Sequence, residues 1–137
     1  MSEVKDPEQS TLDPELKSIL DVAQPDPQDL LFCATCGHVI TSNAERIMVN
    51  GSHDHDLTNP HGFSFHLGCF AQALGCDISG HGEAADSWFM GYMWRLATCA
   101  NCQNHLGWYF SGVAPGSQDY FYGLILNALT SQPSSDD

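Results

Sequence analysis

Two pairs of cysteines have the spacing of a metal-binding site. Cys33 and Cys36 form one C-x-x-C pair, and Cys99 and Cys102 form the other. Each pair can present two thiolates on one tight turn, so the two turns together can complete a tetrahedral site for Zn²⁺. Because the protein would then hold all coordination positions, none remains for a substrate. The spacing therefore predicts a structural metal, and iron on the same four sulfurs stays an alternative.

The thiols are expected to be reduced and bound to metal rather than joined in disulfides. The N-terminal residues contain no apolar signal-peptide core, and no later stretch approaches about 18 consecutive apolar residues. We therefore expect a cytoplasmic protein, and disulfides are rare in the cytoplasm. The remaining cysteines, Cys69 and Cys76, have no evident neighbours that would lower the pKa of their thiols. We therefore expect both to be small buried apolar residues rather than nucleophiles.

The charge balance argues against polyanionic partners. The formal net charge is −13, and the whole chain contains four Lys and Arg residues, of which only Arg46 and Arg95 lie beyond residue 29. Binding to nucleic acid draws much of its affinity from Lys and Arg that neutralise phosphates, and anionic membrane surfaces attract the same residues. We expect neither nucleic acid nor a membrane as a partner.

Composition divides the chain into three segments. Residues 1–29 are acidic and contain four prolines, which is typical of a flexible leader, although Asp13 followed by Pro14 could begin a short helix. Residues 30–129 form the predicted domain, and the polar residues 130–137 form a predicted disordered tail.

Frequent turn dipeptides predict a mainly β domain of antiparallel strands with at most one short helix. The helix is expected over residues 67–74, where apolar residues recur at helical spacing. The run from His53 to Asp56 is expected to be a solvated surface loop rather than a metal chelate.

All three tryptophans lie close to the second cysteine pair in sequence. If this pair forms the tip of a hairpin, Trp94 and Trp108 stand near the same level on its paired strands, about 15–20 Å from the metal. Trp108 and Phe110 share a face because side chains alternate, and Trp88 can fold back across the turn at Gly91. These residues alone are compatible with an ordinary aromatic core or with a cage for a ligand.

The strings around the tryptophans resemble the thalidomide-binding (CULT) domain of the cereblon family. The resemblance covers about residues 30–129 and suggests a bacterial-type single-domain member. Its most specific strings are Ser87-Trp88-Phe89-Met90-Gly91-Tyr92-Met93-Trp94, His105-Leu106-Gly107-Trp108 and Asn59-Pro60-His61-Gly62. It implies a β-tent of two antiparallel sheets, pinned at one end by the four-cysteine zinc site, with a tri-tryptophan pocket on the exposed side.

The resemblance also implies a ligand class. In that family the pocket takes neutral cyclic imides such as the glutarimide ring of thalidomide, bacterial members bind uridine as well, and proteins bearing a C-terminal cyclic imide are potential partners. The implied ligand-binding residues are Trp88, Trp94 and Trp108 as walls, Phe110 as floor, Asn59 at the rim, and Asp86 and Ser87 beside the imide. Asp86 stands where eukaryotic members carry a histidine, and an ionised carboxylate only accepts hydrogen bonds.

Two other functions remain as alternatives. An aromatic box near carboxylates can hold a quaternary ammonium group by cation–π attraction. The β-tent also resembles the methionine sulfoxide reductase B fold, but that enzyme uses a cysteine near its C terminus, and no cysteine follows Cys102 in this sequence. We therefore expect a binding domain without catalysis.

Overall fold

The computed structural model describes residues 29–132, and the leader with its predicted helix at Asp13 lies outside them, apart from Asp29. These residues form nine strands in two antiparallel sheets. The strands are β1 Leu30–Cys33, β2 Val39–Ser42, β3 Asp54–Thr58, β4 Ser64–Phe70, β5 Cys76–Glu83, β6 Tyr92–Cys99, β7 His105–Gly112, β8 Tyr120–Ile125 and β9 Leu129–Thr130.

The smaller sheet has the order β9-β1-β2 and the larger one the order β3-β4-β8-β7-β6-β5. Among residues 30–132 the helical segments are two single 3₁₀ turns, Asn43–Glu45 and Leu126–Ala128. The prediction of a mainly β fold with two antiparallel sheets is confirmed. Strand pairing in the smaller sheet extends through Thr130, which lies opposite Phe32.

The helix predicted over residues 67–74 is wrong. Residues 64–70 form β4, which lies between β3 and β8 in the larger sheet. Leu67 and Cys69 pack into one core cluster and Phe70 into the other, so this end of the strand is buried on both faces. A strand covered on both faces has a continuous apolar run, which periodicity alone does not distinguish from a buried helix.

The surface loop expected at residues 53–56 is also wrong, because Asp54–Thr58 form the edge strand β3. Its pairing with β4 begins with Asp54 opposite Gly68. The ring of His53 packs in a T-shaped arrangement with Phe70, with centroids 5.3 Å apart, and His55 packs in the same way with Phe89. The two histidines therefore pack against core aromatic rings, as amphipathic side chains often do.

Two apolar clusters fill the interior, and the β6–β7 hairpin contributes to both. One cluster surrounds the cysteine turns and consists of Cys33, Ile40, Phe70, Ala73, Cys99, Leu106, Tyr122 and Leu124. The other is rich in aromatic rings and consists of Leu67, Cys69, Phe89, Trp108, Phe110 and Phe121. Full burial of each large apolar side chain contributes roughly 1.5–3 kcal/mol, which is a large fraction of the net stability of a typical domain.

Candidate functional site

The four cysteines predicted as metal ligands come together between the two sheets. The Sγ atoms of Cys33 and Cys102 are 3.7 Å apart, and those of Cys36 and Cys99 are 3.6 Å apart. All four sulfurs lie within 4.8 Å of one another. A tetrahedron with metal–sulfur bonds of about 2.3 Å has edges of about 3.8 Å. The cluster therefore has the size needed to hold a metal ion, and it joins the turn after β1 to the turn after β6.

The two cysteine turns have the same backbone geometry although only one contains glycine. Gly37, the residue after the second cysteine of its turn, has a φ of 82°, and Gln103 at the equivalent position has a φ of 68°. Each donates its N–H over 2.8 Å to the carbonyl of the first cysteine of its turn, Cys33 or Cys99. A left-handed conformation costs a non-glycine residue about 1–2 kcal/mol. The surrounding structure therefore holds Gln103 in this conformation.

The protonation of the sulfurs also favours a bound cation. A hydrogen bond from the Asn101 side chain, with a backbone hydrogen bond at His38, lowers the pKa of Cys36 to about 6. A backbone hydrogen bond at Asn104 acts to lower the pKa of Cys102, but burial and the neighbouring sulfurs outweigh it and raise that pKa to about 12. Sulfurs this close cannot all ionise beside one another without a positive ion, and a divalent metal would supply it.

The other two cysteines, Cys69 and Cys76, lie outside the four-cysteine cluster. Burial raises the pKa of Cys69 and of Cys76 to about 12. Cys69 is fully buried in the aromatic cluster, and Cys76 lies opposite Cys99 at the start of β5. A thiol that stays protonated at neutral pH is a poor nucleophile. Cys69 is buried as expected, whereas Cys76 is only partly buried.

A second feature is a cavity of about 480 Å³, located beside the same hairpin further along from its cysteine turn. Its walls are mostly aromatic. The lining residues are Asn59, Pro60, His61, Phe65, Asp86, Trp88, Trp94, Leu96, His105, Trp108 and Phe110. Cavities of this size, apolar with a few polar groups, are typical of sites for small molecules.

Strand register places the hairpin residues of the cavity on one face. Trp94 lies opposite Phe110, and Leu96 lies opposite Trp108, so all four side chains point to the same side of the sheet. The two tryptophans are thus diagonal neighbours on adjacent strands, near the same level, as the sequence predicted. Phe110 is 1% exposed and Trp108 is 8% exposed, so they form the inner surface, while Trp94 is only half-buried.

Trp88 completes the aromatic wall from outside the hairpin. Its ring meets Trp108 edge to face, with centroids 4.8 Å apart and planes at 81°. Its Nε1 donates to the Thr58 carbonyl over 2.9 Å, and Nε1 of Trp94 donates to the Ala85 carbonyl over the same distance. Because these indole N–H groups are held by backbone, the two rings are fixed in orientation and present their apolar surfaces.

The three polar residues predicted for the site have different roles in the structure. Asn59 lies at the cavity, and its Oδ1 accepts hydrogen bonds from the backbone N–H groups of His61 and Phe63, which orders the turn between β3 and β4. Asp86 also lines the cavity. The Ser87 hydroxyl donates to the Phe89 carbonyl, and Ser87 is not among the lining residues.

The structure adds cavity residues that the sequence did not single out. Phe65 on β4 packs edge to face against Trp108, with centroids 5.1 Å apart. No local pattern predicted this contact, because it depends on β8 lying between β4 and β7. Leu96 was recognisable, since it alternates with Trp94 on one strand face.

His105 is the second addition. Its Nε2 lies 2.9 Å from the Gly107 carbonyl oxygen, and the centroid of its ring lies 4.8 Å from that of Trp108. Burial lowers its pKa. It therefore lines the cavity as a neutral ring at neutral pH.

Within residues 29–132, no helix has the length and apolar character required to span a bilayer.

Comparison with known proteins gives one consistent relationship. No protein-family model matches the chain. It is similar to protein cereblon of Gallus gallus, with 36% identity over 81 residues that make up 58% of this chain and 18% of the relative. It is also similar to protein cereblon of Danio rerio, with 38% identity over 72 residues, 52% of this chain and 17% of the relative.

A longer match joins the chain to protein cereblon of Drosophila erecta, with 29% identity over 114 residues, 80% of this chain and 20% of the relative. The matched region thus spans a fifth or less of the length of each of these relatives.

Proposed function

We propose that this chain, which carries a cereblon-family CULT domain, uses its aromatic cavity to bind a neutral cyclic imide or a uridine-like heterocycle without catalysis. The observation that carries the proposal is the cavity of about 480 Å³ bordered by three indole rings. Since backbone carbonyls already hold the N–H groups of Trp88 and Trp94, their ring surfaces are available to a flat ligand.

An imide ring matches this environment in shape and polarity. Its CH₂ groups pack against indole rings, while its N–H and two carbonyls need a few fixed polar partners. We assign these partners to backbone groups of the segment from Asp86 to Trp88, which borders the cavity. The same chemistry extends to proteins bearing a C-terminal cyclic imide, since only the terminal ring has to enter.

We assign the four-cysteine site to structural Zn²⁺. Four sulfurs with separations such as 3.6 and 3.7 Å fit tetrahedral coordination and leave no open position for a substrate. Iron would fit the same ligands, and elemental analysis of the purified protein distinguishes the two metals. The reduced thiols that either metal requires fit the cytoplasmic location expected from the sequence.

A reductase function lacks a nucleophile. Cys69 and Cys76 are the cysteines outside the metal cluster, and the pKa of each is raised to about 12 by burial. A binding function therefore accounts better for the residues present.

The second candidate ligand is a quaternary ammonium group. It is favoured by Asp86, whose carboxylate lies at the edge of an aromatic cavity. This candidate differs from the imide in its charge and in having no hydrogen-bonding groups.

Titration of the metal-loaded protein, followed by tryptophan fluorescence, tests the proposal. Glutarimide, thalidomide, uridine and choline are added in separate experiments. We expect saturable changes in emission with the imides or with uridine and none with choline. Saturation by choline alone would favour the ammonium candidate. No saturable change with any of the heterocycles would contradict the proposed function.

A further inference from the structure

A single charged side chain borders the aromatic cavity. Among the lining residues in the described part of the chain, Asp86 is the only Asp, Glu, Lys or Arg. The ion pairs found among residues 29–132 join His66 to Asp54 and Asp56, and none involves Asp86. His105, which also lines the cavity, is kept neutral because burial lowers its pKa. The negative charge of Asp86 is therefore not offset by that ring.

The backbone holds Asp86 in a fixed place relative to the aromatic wall. It occupies the third position of a turn that is closed by the Ser87 N–H and the Ala84 carbonyl, 3.4 Å apart, and its φ is 59°. The preceding carbonyl, of Ala85, accepts the indole N–H of Trp94 at 2.9 Å. The turn that carries the carboxylate is thus tied directly to one wall of the cavity.

We propose that Asp86 determines the charge preference of the pocket, so that it favours a cyclic imide carrying an ammonium substituent over the corresponding neutral imide. This rests on the proposed function, because the aromatic walls must first hold the imide ring in the cavity that Asp86 borders. Indole rings attract cations through their electron-rich surfaces, and the carboxylate attraction has the same sign. The formal net charge of −13 adds a further long-range attraction for a cation.

The expected preference is modest because Asp86 is exposed to solvent. Ion pairs between exposed groups are screened by water and by salt. An exposed pair of this kind corresponds to a difference in affinity of at most about fivefold, and it weakens at high ionic strength.

The test compares two ligands and three proteins. The ligands are 3-aminopiperidine-2,6-dione, at a pH where its amine is protonated, and its neutral N-acetyl derivative. The proteins are the wild type, Asp86→Asn and Asp77→Asn. Asparagine has the shape of aspartate and tolerates positive φ at least as well, so the turn is preserved. Asp77 is exposed opposite Thr98 near the cysteine turn, and its substitution removes the same charge away from the cavity.

Calorimetry at low salt measures both dissociation constants in each protein. The quantity compared is the dissociation constant of the neutral N-acetyl derivative divided by that of the ammonium ligand. We expect this ratio to fall, by at most about fivefold, in Asp86→Asn and to stay unchanged in Asp77→Asn. An unchanged ratio in Asp86→Asn, or an equal fall in both variants, would overturn this inference while imide binding stands. If the wild type binds neither ligand, the proposed function itself has failed.

Discussion

The two ends of the β6–β7 hairpin differ in how closely their side chains pack. At its tip, Cys99 and Cys102 meet the other cysteine pair so closely that all four sulfurs lie within 4.8 Å. Further along, Trp94 and Trp108 leave a cavity of about 480 Å³ between aromatic rings. The first arrangement has room for one small ion, whereas the second has room for a flat molecule. We infer that the tip stabilises the fold and that the aromatic end serves the proposed binding function.

Gly107 couples the two ends. It follows the cysteine turn by a few residues and directly precedes Trp108. A Cβ at this position would lie 2.1 Å from the Gly123 carbonyl oxygen on β8. The close approach of the two backbones sets how β7 lies against β8, and with it the position of Trp108.

Loss of a metal ligand should have the largest effect. Cys99→Ser removes a fully buried sulfur from the cluster, and metal affinity in small sites of this kind is folding free energy. We expect loss of bound metal and of the cooperative thermal transition, measured by elemental analysis and circular dichroism. Cys69→Ala, which removes a buried sulfur outside the cluster, is the matched control and should retain both. A Cys99→Ser protein that melts like the wild type would show that the tip does not stabilise the fold.

Gly107→Ala should have the next largest effect. The added methyl group clashes with backbone atoms of Gly123 and Leu124, which cannot move aside as a flexible side chain can. We therefore expect a loss of about 3 kcal/mol in the free energy of unfolding. The control is Gly116→Ala, where φ is 78° but nothing lies within 4 Å, with an expected loss of about 1 kcal/mol. Urea denaturation measures both. Equal losses would mean that the close approach of β7 and β8 carries no special weight.

Trp94→Ala should separate binding from folding. Trp94 is half-buried, whereas Trp108 is nearly buried, so truncation of Trp94 disturbs the core less. Loss of one indole wall is expected to weaken glutarimide binding by at least about tenfold, as measured by calorimetry. Tyr120→Ala removes an exposed aromatic ring on the opposite sheet face, beside Tyr109, and serves as control. Equal affinities in the two variants would argue against the aromatic cage.

A small pH effect is expected on β4, away from both ends of the hairpin. The hydrogen bond from His66 to Asp56, helped by Asp54, raises the pKa of His66 in the folded protein above its ordinary value near 6.5. The stabilisation is therefore present below that ordinary value and is lost as the pH rises through the raised pKa.

His66→Gln should consequently lower the melting temperature slightly at pH 5.5 and leave it unchanged at pH 8.5. His81→Gln, on the exposed strand β5, provides the comparison. An equal change at both pH values would show that the ion pairs of His66 do not contribute.

Local spacing predicted the metal end well because its information is contained in short strings. Each C-x-x-C turn specifies its own geometry, and in the first turn Gly37 has a φ of 82°. The sequence did not indicate that Gln103 would adopt the same conformation, since residues other than glycine rarely have a positive φ without support from the surrounding structure.

The aromatic end was predicted less completely because it depends on strand order. Trp88, Trp94 and Trp108 were recognised from their strings, but the contact of Phe65 with Trp108 requires β4 to pair with β8. The same strand was mistaken for a helix because its last residues are buried on both faces. Such non-local pairing leaves no local periodic signal.

The central claim is most directly tested by nuclear magnetic resonance of the ¹⁵N-labelled, metal-loaded protein during titration with glutarimide. The chain contains three tryptophans, so its spectrum has three indole N–H signals. We predict that all three shift and saturate together, while the amide signals of the turns at Cys33 to Cys36 and Cys99 to Cys102 stay in place. Indole signals that do not respond to glutarimide, or shifts confined to the cysteine turns, would contradict the account.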